Sequence, residues 1–253
     1  MNNKSALPLS TEKFYDAASE FYEQMIDFEK NLRLRTEAYK NIFQVRGSAA
    51  DLGGGIGLDS IALAVNGHKV TAFDISPKMI EATKLNAKKY NVTVDAQTHS
   101  IFSLPKKYKN KFNSVVCVGN TIAHLNSKEL DKAFKQIYDL LLPGGKVFLH
   151  ILNYEMIHRQ NRRINNIAKR GGKTIIRFYD FYESYIMFNI LTFEDADTKK
   201  FQLITTKHFP HTQKEILLSL KKCGFLKQQC FSNFAGAKYH SKESKDLFIA
   251  AIK

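Results

Sequence analysis

The apolar positions change period along the chain. From Ser10 the stretch "STEKFYDAASEFYEQMIDF" carries them at helical spacing, with Ser10 placed as a cap, and a second helical pattern runs from Asn31 to Val45. From Ser48 short apolar runs of β composition alternate with helices. "AADL" reads as a first strand and "DSIALAVNG" as a helix closed by Gly67. "HKVTAFDI" reads as a second strand, and "SPKMIEATKLNAKKYN" as a helix with Ser76 as cap and Pro77 in its first turn. "VTVDAQTH" and "FNSVVCVGN" follow as strands, "SKELDKAFKQIYDLLL" as a helix, and the turn "PGG" leads into the strand "KVFLHIL". This alternation implies a mostly parallel sheet covered on both faces. It breaks near residue 154, where "TIIRFYDF", "SYIMFNILTF" and "KKFQLITTKHF" have β composition with no helix between them, as in a small antiparallel insertion. "TQKEILLSLKKCG" returns to helix, and "FLKQQCFSNFAG" and "DLFIAAIK" supply two last strands.

A chain of 253 residues with 44% hydrophobic content buries one large domain, or a domain with an insertion. No apolar run approaches the roughly 18 residues that span a bilayer. "MNNKSALPLSTEKFYD" lacks a continuous apolar segment, so a secretory leader and a membrane partner are not expected, and a cytoplasmic location is. Cys117, Cys223 and Cys230 are too few for a disulfide framework and form no CxxC pair, so no metal site is expected. The net charge is +14. An anionic partner such as RNA is one reading of that charge, and solvated surface lysines are the other. The basic residues cluster in "KKYKNK" at 106–111 and "HRQNRRINNIAKRGGK" at 158–173.

The candidate chemistry begins at "DLGGGIGLDS", Asp51 to Ser60, between the first strand and its helix. A strand, a glycine turn and a helix in that order are what a dinucleotide site requires. The GxGxxG spacing fails: the third position is Leu58 counting from Gly53 and Ser60 counting from Gly55. A Walker lysine is absent too. Residues without Cβ still let a ligand approach the backbone. A carboxylate at Asp51 suits a cationic ligand group and is a poor neighbour for pyrophosphate. Asp74, ending the second strand, can accept hydrogen bonds from both hydroxyls of a ribose, which points to a ribose more than to a particular cofactor.

With these residues the chain resembles the class I S-adenosylmethionine-dependent methyltransferases, and within them the glycine/sarcosine N-methyltransferase type. The resemblance is carried by "DLGGGIGLDS", by "LRLRTEAYK" at 32–40 and "GLDSIALAVNGHKVTAFDISPKMI" at 57–80, and by "VCVGNTIAHL" at 116–125 and "PGGKVFLHILNYEMI" at 143–157. It implies an α/β, Rossmann-like, seven-stranded and mostly parallel sheet with helices on both faces. A helical N-terminal cap would span 1–46, the S-adenosylmethionine-binding core 47–153 and 208–253, and an antiparallel β insertion serving as substrate lid 154–207. It further implies that Asp51 and the glycines Gly53, Gly54, Gly55 and Gly57 line the methionine end of S-adenosylmethionine. Asp74 would hold the ribose, and Ile75 and Met79 would flank the adenine. Ser100 and Ile101 would read the adenine edge, Val118 and Gly119 would lie beneath the cofactor, and Arg35 and Tyr39 would reach it from the N-terminal segment.

The implied reaction is methyl transfer to a small-molecule acceptor, at an amine nitrogen. It needs nucleophile and methyl carbon held roughly 3–3.5 Å apart and aligned, and the amine unprotonated. Asn120, after the fourth strand, is the first candidate for the acceptor side: its carbonyl can orient an amine and its amide can hold a carboxylate. His124, four residues on, is a candidate base or orienting donor, or else a satisfied structural histidine. Tyr15 and Tyr22 are placed to close over the site, and Asn153 and Tyr154 end the fifth strand at the same edge of the sheet. The glycine enzymes carry an arginine before the "NY" dipeptide, and it pairs with the amino-acid carboxylate. Here that position is Leu152, which cannot form the bidentate pair. Arg177 is the candidate to replace it from the insertion. The resemblance therefore carries the reaction type and not glycine as substrate. Two alternatives stand beside it. An RNA or protein methyltransferase fits the charge, but "GNTI" replaces the (N/D/S)PP(Y/F) turn that stacks a flipped base. The other is a non-catalytic S-adenosylmethionine-binding protein. No interface for an oligomer is legible.

Overall fold

The computed structural model describes residues 7–253, apart from the side chain of Gln24; the first six residues of the expected N-terminal cap lie outside them. The chain opens with α1 (Thr11–Ala18), α2 (Tyr22–Met25) and α3 (Phe28–Ile42). Ser10 caps α1 by accepting the Lys13 N–H. The single long helix expected from Ser10 is broken at 19–21, although Phe14, Ala18 and Phe21 keep helical spacing and are all buried.

The alternating region follows as expected. In order come β1 (Ser48–Leu52), α4 (Leu58–Val65), β2 (Lys69–Asp74), α5 (Pro77–Lys89) and β3 (Val94–Thr98). Then come β4 (Phe112–Cys117), α6 (Ser127–Leu140) and β5 (Leu141–Leu152). Ser76 caps α5 through the Met79 N–H, with Pro77 in the first turn. On α6 the buried residues Leu130, Ala133, Phe134, Ile137 and Leu140 form one stripe, and Asn126 with Glu129 closes a capping box. The stripe packs on β4 and β5, and full burial of a side chain such as Phe134 contributes about 2–3 kcal/mol.

The insertion differs from its sequence reading in two ways. It opens with a helix, α7 (Tyr154–Arg159), capped by Asn153. Its sheet has four strands, since the basic segment forms β6 (Ile164–Arg170) ahead of β7 (Lys173–Phe181), β8 (Ile186–Glu194) and β9 (Asp197–His208). The chain ends with α8 (Gln213–Lys222), β10 (Leu226–Phe231) and β11 (Asp246–Ile252).

The larger sheet has seven strands in the order β10-β11-β5-β4-β1-β2-β3. β11 runs antiparallel to both its neighbours, and the remaining pairings are parallel. Strand order reverses between β1 and β4, the place where open α/β sheets bind ligands beyond their carboxyl ends. The antiparallel sheet lies over that edge. α1 joins it there: the Leu9 N–H donates to the Thr205 carbonyl at 2.8 Å, and Phe14 packs on Phe188 with ring centroids 5.8 Å apart. Among the described residues no helix is long and apolar enough to cross a membrane.

Candidate functional site

A cavity of about 410 Å³ lies between the carboxyl edge of the parallel sheet, the N-terminal helices and the antiparallel sheet. Its floor is the turn after β1. Gly53 and Gly55 have φ of 69° and 55°, the left-handed region that glycine occupies without strain. A Cβ on Gly53 would sit 2.5 Å from Thr121 Cγ2, so the β1 and β4 loops meet only because it is glycine. A Cβ on Gly55 would meet nothing within 4 Å and would project into open space. Gly119, after β4, offers the same open space.

Asp74 ends β2 with its carboxylate facing the cavity. Oδ2 accepts the Gly55 N–H and Oδ1 the Ser76 N–H, each at 2.9 Å. Burial raises its pKa, and these backbone donors act the other way. Each oxygen keeps a second lone-pair direction for a ligand hydroxyl. Ile75, Ser100 and Ile101 line the cavity beside it, and Gly54, Val118 and Gly119 continue the floor.

Several residues singled out in the sequence stand behind this surface. Asp51 is 1% exposed and accepts the Ser60 hydroxyl at 2.6 Å. Burial and the nearby Asp59 push its carboxyl up. Gly57 is the left-handed N-cap of α4, and Met79 is fully buried in the core. Tyr39 lies outside the cavity, where its hydroxyl donates to Asp59. Arg35 lines the cavity, pairs with the same carboxylate and stacks on Phe234 at 4.5 Å. Burial opposes the Arg35 charge, but Asp59 and Tyr39 more than offset it, and its pKa is raised.

On the acceptor side the side chains form a connected network. Asn120 Oδ1 accepts the Leu152 N–H at 3.0 Å, and its Nδ2 donates to the Tyr154 hydroxyl at 2.8 Å. That hydroxyl lies 2.9 Å from His208 Nδ1 and, already accepting from Asn120, donates to it. The Asn120 amide thus braces β4 against the insertion, and Tyr154, 1% exposed, lies behind the wall rather than in it. Asn153 is also outside: its Oδ1 accepts the Met156 N–H and its Nδ2 donates to the Ser241 and Ser244 carbonyls. Tyr15 and Tyr22 roof the cavity, and the Tyr15 hydroxyl is 2.9 Å from His124 Nε2. Leu152 and Arg177 line it as well.

Burial depresses the His124 pKa to about 4, with the Lys207 carbonyl opposing, and burial also lowers that of His208. Both imidazoles are therefore neutral near pH 7. A histidine whose folded pKa is about 4 against 6.5 unfolded takes up fewer protons in the folded state between those values. Its contribution is complete above pH 6.5 and is lost as pH falls toward 4. We expect His124 to withdraw on the order of 3 kcal/mol of denaturant stability between pH 7 and pH 4, while the raised carboxyls of Asp51 and Asp74 act in the opposite sense. The stability of the parent relative to His124→Gln should therefore fall across that range; a constant difference would remove this histidine as a source.

Asp59, His150, His208 and Tyr179 are among the site residues not found from sequence. Asp59 sits inside the glycine motif, in the first turn of α4. His150 Nδ1 accepts the Gly119 N–H at 3.2 Å and its Nε2 donates to Asp246 at 2.9 Å, fixing the floor of the cavity. His208 and Tyr179 face the cavity from the antiparallel sheet. Their sequence neighbourhoods carry only β composition, which signals a strand and not a site.

Residues 49–145 match the Methyltransferase domain family. Over 103 residues the chain is 32% identical to the ubiquinone biosynthesis O-methyltransferase of Xanthomonas euvesicatoria pv. vesicatoria, covering 41% of this chain and 42% of that protein. The chain thus matches less than half the length of that curated relative. Solved structures align over almost the whole chain. The CcbJ methyltransferase from Streptomyces caelestis has a TM-score of 0.78 at 15% identity, covering 94% of this chain and 96% of that one. An S-adenosylmethionine-dependent methyltransferase from Clostridium acetobutylicum has a TM-score of 0.74 at 17% identity, covering 95% and 97%. The chain has the Rossmann-like fold of these methyltransferase structures, and its residues 49–145 resemble the Methyltransferase domain family.

Proposed function

We propose that this protein transfers a methyl group from S-adenosylmethionine to a nitrogen of a small-molecule acceptor bound under the antiparallel sheet. The reading rests on the cavity, which joins the β1–β4 switch point to a roofed second compartment. The residues present fit the donor. Asp74 faces the cavity with acceptor capacity for two ribose hydroxyls, and Ile75 and Ile101 supply apolar walls for the adenine beside Ser100. In the glycine turn Gly55, together with Gly119 after β4, leaves open space against the backbone for the methionine end. When bound, the sulfonium supplies a methyl group with a neutral leaving thioether.

The chain's own part is to orient, exclude water and fix proton positions. Tyr15 and Tyr22 close the roof from α1 and α2, and the tie between Tyr15 and His124 holds α1 to the β4 loop. Asn120 fixes the β4 loop to the end of β5 through Leu152 and to the insertion through Tyr154. Nitrogen is favoured because His124 and His208, the histidines under the antiparallel sheet, are neutral and buried and so are weak proton acceptors. An amine that binds uncharged needs no strong base, whereas a hydroxyl does. The glycine/sarcosine likeness enters only as a reaction type, since Leu152 lines the cavity where those enzymes carry an arginine.

The test is incubation with methyl-labelled S-adenosylmethionine and a panel of small amines, phenols and amino acids, read by mass spectrometry. Transfer to an amine is the expected result. Label found only on phenols would overturn the nitrogen assignment, and label found only on RNA or protein would overturn the small-molecule one. Cofactor binding without any transfer would leave a non-catalytic binding protein.

A further inference from the structure

The face of the antiparallel sheet that closes the cavity carries hydrogen-bond donors with no partner in the protein. Register sets which residues share it. Arg177 pairs across with Ile190, and Tyr179 with Phe188. Phe188 pairs with Thr206, and Ile186 with His208. Arg177, Tyr179, Phe188, Ile190 and His208 all line the cavity. Three of them keep a buried polar atom unpartnered: Nε of Arg177, the hydroxyl of Tyr179 and Nε2 of His208. Tyr179 is 0% exposed and His208 2%. Because Tyr154 donates to His208 Nδ1, the ring proton sits on Nε2, so all three atoms offer a hydrogen.

Buried donors without acceptors are costly, and native proteins rarely leave them so. Three on one cavity wall mark a surface built for a ligand rich in acceptors. The charge follows from the arginines nearby. Arg163 pairs with Asp180, Arg170 with Asp27 and Arg35 with Asp59. Among the described residues Arg177 has no carboxylate within the 4.0 Å reached by the weakest of these pairs. His208 is held neutral by burial, so the positive charge on this wall belongs to Arg177.

We propose that the acceptor compartment takes an anionic small molecule, its carboxylate or phosphate received by the Arg177 guanidinium and the Tyr179 hydroxyl. His208 Nε2 offers a third hydrogen to the same molecule. This deepens the methyltransferase reading and rests on it. A planar guanidinium matches the geometry of such anions and keeps its charge when buried.

The test is calorimetric binding of benzoate, phenyl phosphate and neutral benzamide to the protein saturated with S-adenosylhomocysteine. We expect saturable binding of one or both anions and none of benzamide. The stronger anion tells carboxylate from phosphate. Arg177→Met should weaken that anion at least about tenfold and leave affinity for S-adenosylmethionine unchanged. Tyr179→Phe removes one oxygen that has no partner in the protein, so it should melt as the parent does and weaken the anion by a smaller factor. Binding of benzamide as tight as that of the anions, no anion binding, or undiminished binding to both variants would overturn the proposal. Loss of S-adenosylmethionine instead would assign the guanidinium to the donor's carboxylate and overturn it equally. Failure of the unaltered protein to bind S-adenosylmethionine or S-adenosylhomocysteine would strike the methyltransferase reading itself, while the anion measurements still decide the compartment.

Discussion

Asp74→Ala is expected to weaken S-adenosylmethionine at least about a hundredfold. The assignment gives the carboxylate two ribose hydroxyls, and hydrogen bonds to a charged group contribute about 1.5–3 kcal/mol each. The same carboxylate accepts the Gly55 and Ser76 N–H groups, so it also holds the glycine turn against β2. Asp74→Asn separates the two effects: it keeps one acceptor oxygen and most of the shape, and loses the charge. An intermediate loss for asparagine and a near-complete loss for alanine, read by calorimetry, would fit the ribose assignment. Unchanged affinity in Asp74→Ala would contradict it.

Arg35→Leu is expected to cost about 3–5 kcal/mol of unfolding free energy, because it strands the Asp59 carboxylate in a buried setting. The two side chains are 14% and 12% exposed, and the Tyr39 hydroxyl is the remaining donor. Replacing both partners with apolar residues should cost less than replacing Arg35 alone, since no charge is then left unpaired. Urea unfolding of the two single variants and the double variant measures this. A double variant as damaged as the sum of the singles would show that the pair is not coupled.

The parallel half of the molecule was legible because its strands are short apolar runs punctuated by glycine, proline and caps. β1 is buried along almost its whole length, and its helix begins directly after the glycine turn. β6 was not legible: Ile164–Arg170 is an edge strand with no buried residue and no alternation of exposure, so no apolar face announces it. α7 is only six residues long and owes its start to the Asn153 cap. The break after α1 is hidden because Phe21 keeps the apolar spacing while the backbone leaves the helix.

The site divides in the same way. Asp74 and the glycine turn stand on consecutive local elements, so their meeting follows from strand order alone. The acceptor side depends on long-range register. Asn120 and Tyr154 are 34 residues apart, and Tyr154 and His208 are 54 apart. Nothing local to Asn120 shows that its amide is already engaged at both ends. Arg177 was visible as a cation, but its isolation from carboxylates became apparent only once β7, β8 and β9 were paired.

The roof tyrosines have an optical consequence. The sequence holds eleven tyrosines and no tryptophan, so its native ultraviolet emission comes from phenol rings alone. Tyr15, Tyr22 and Tyr179 border the one compartment, and no indole elsewhere masks them. Occupancy of that compartment should therefore alter the emission of these three tyrosines, read in the unlabelled protein against the other eight.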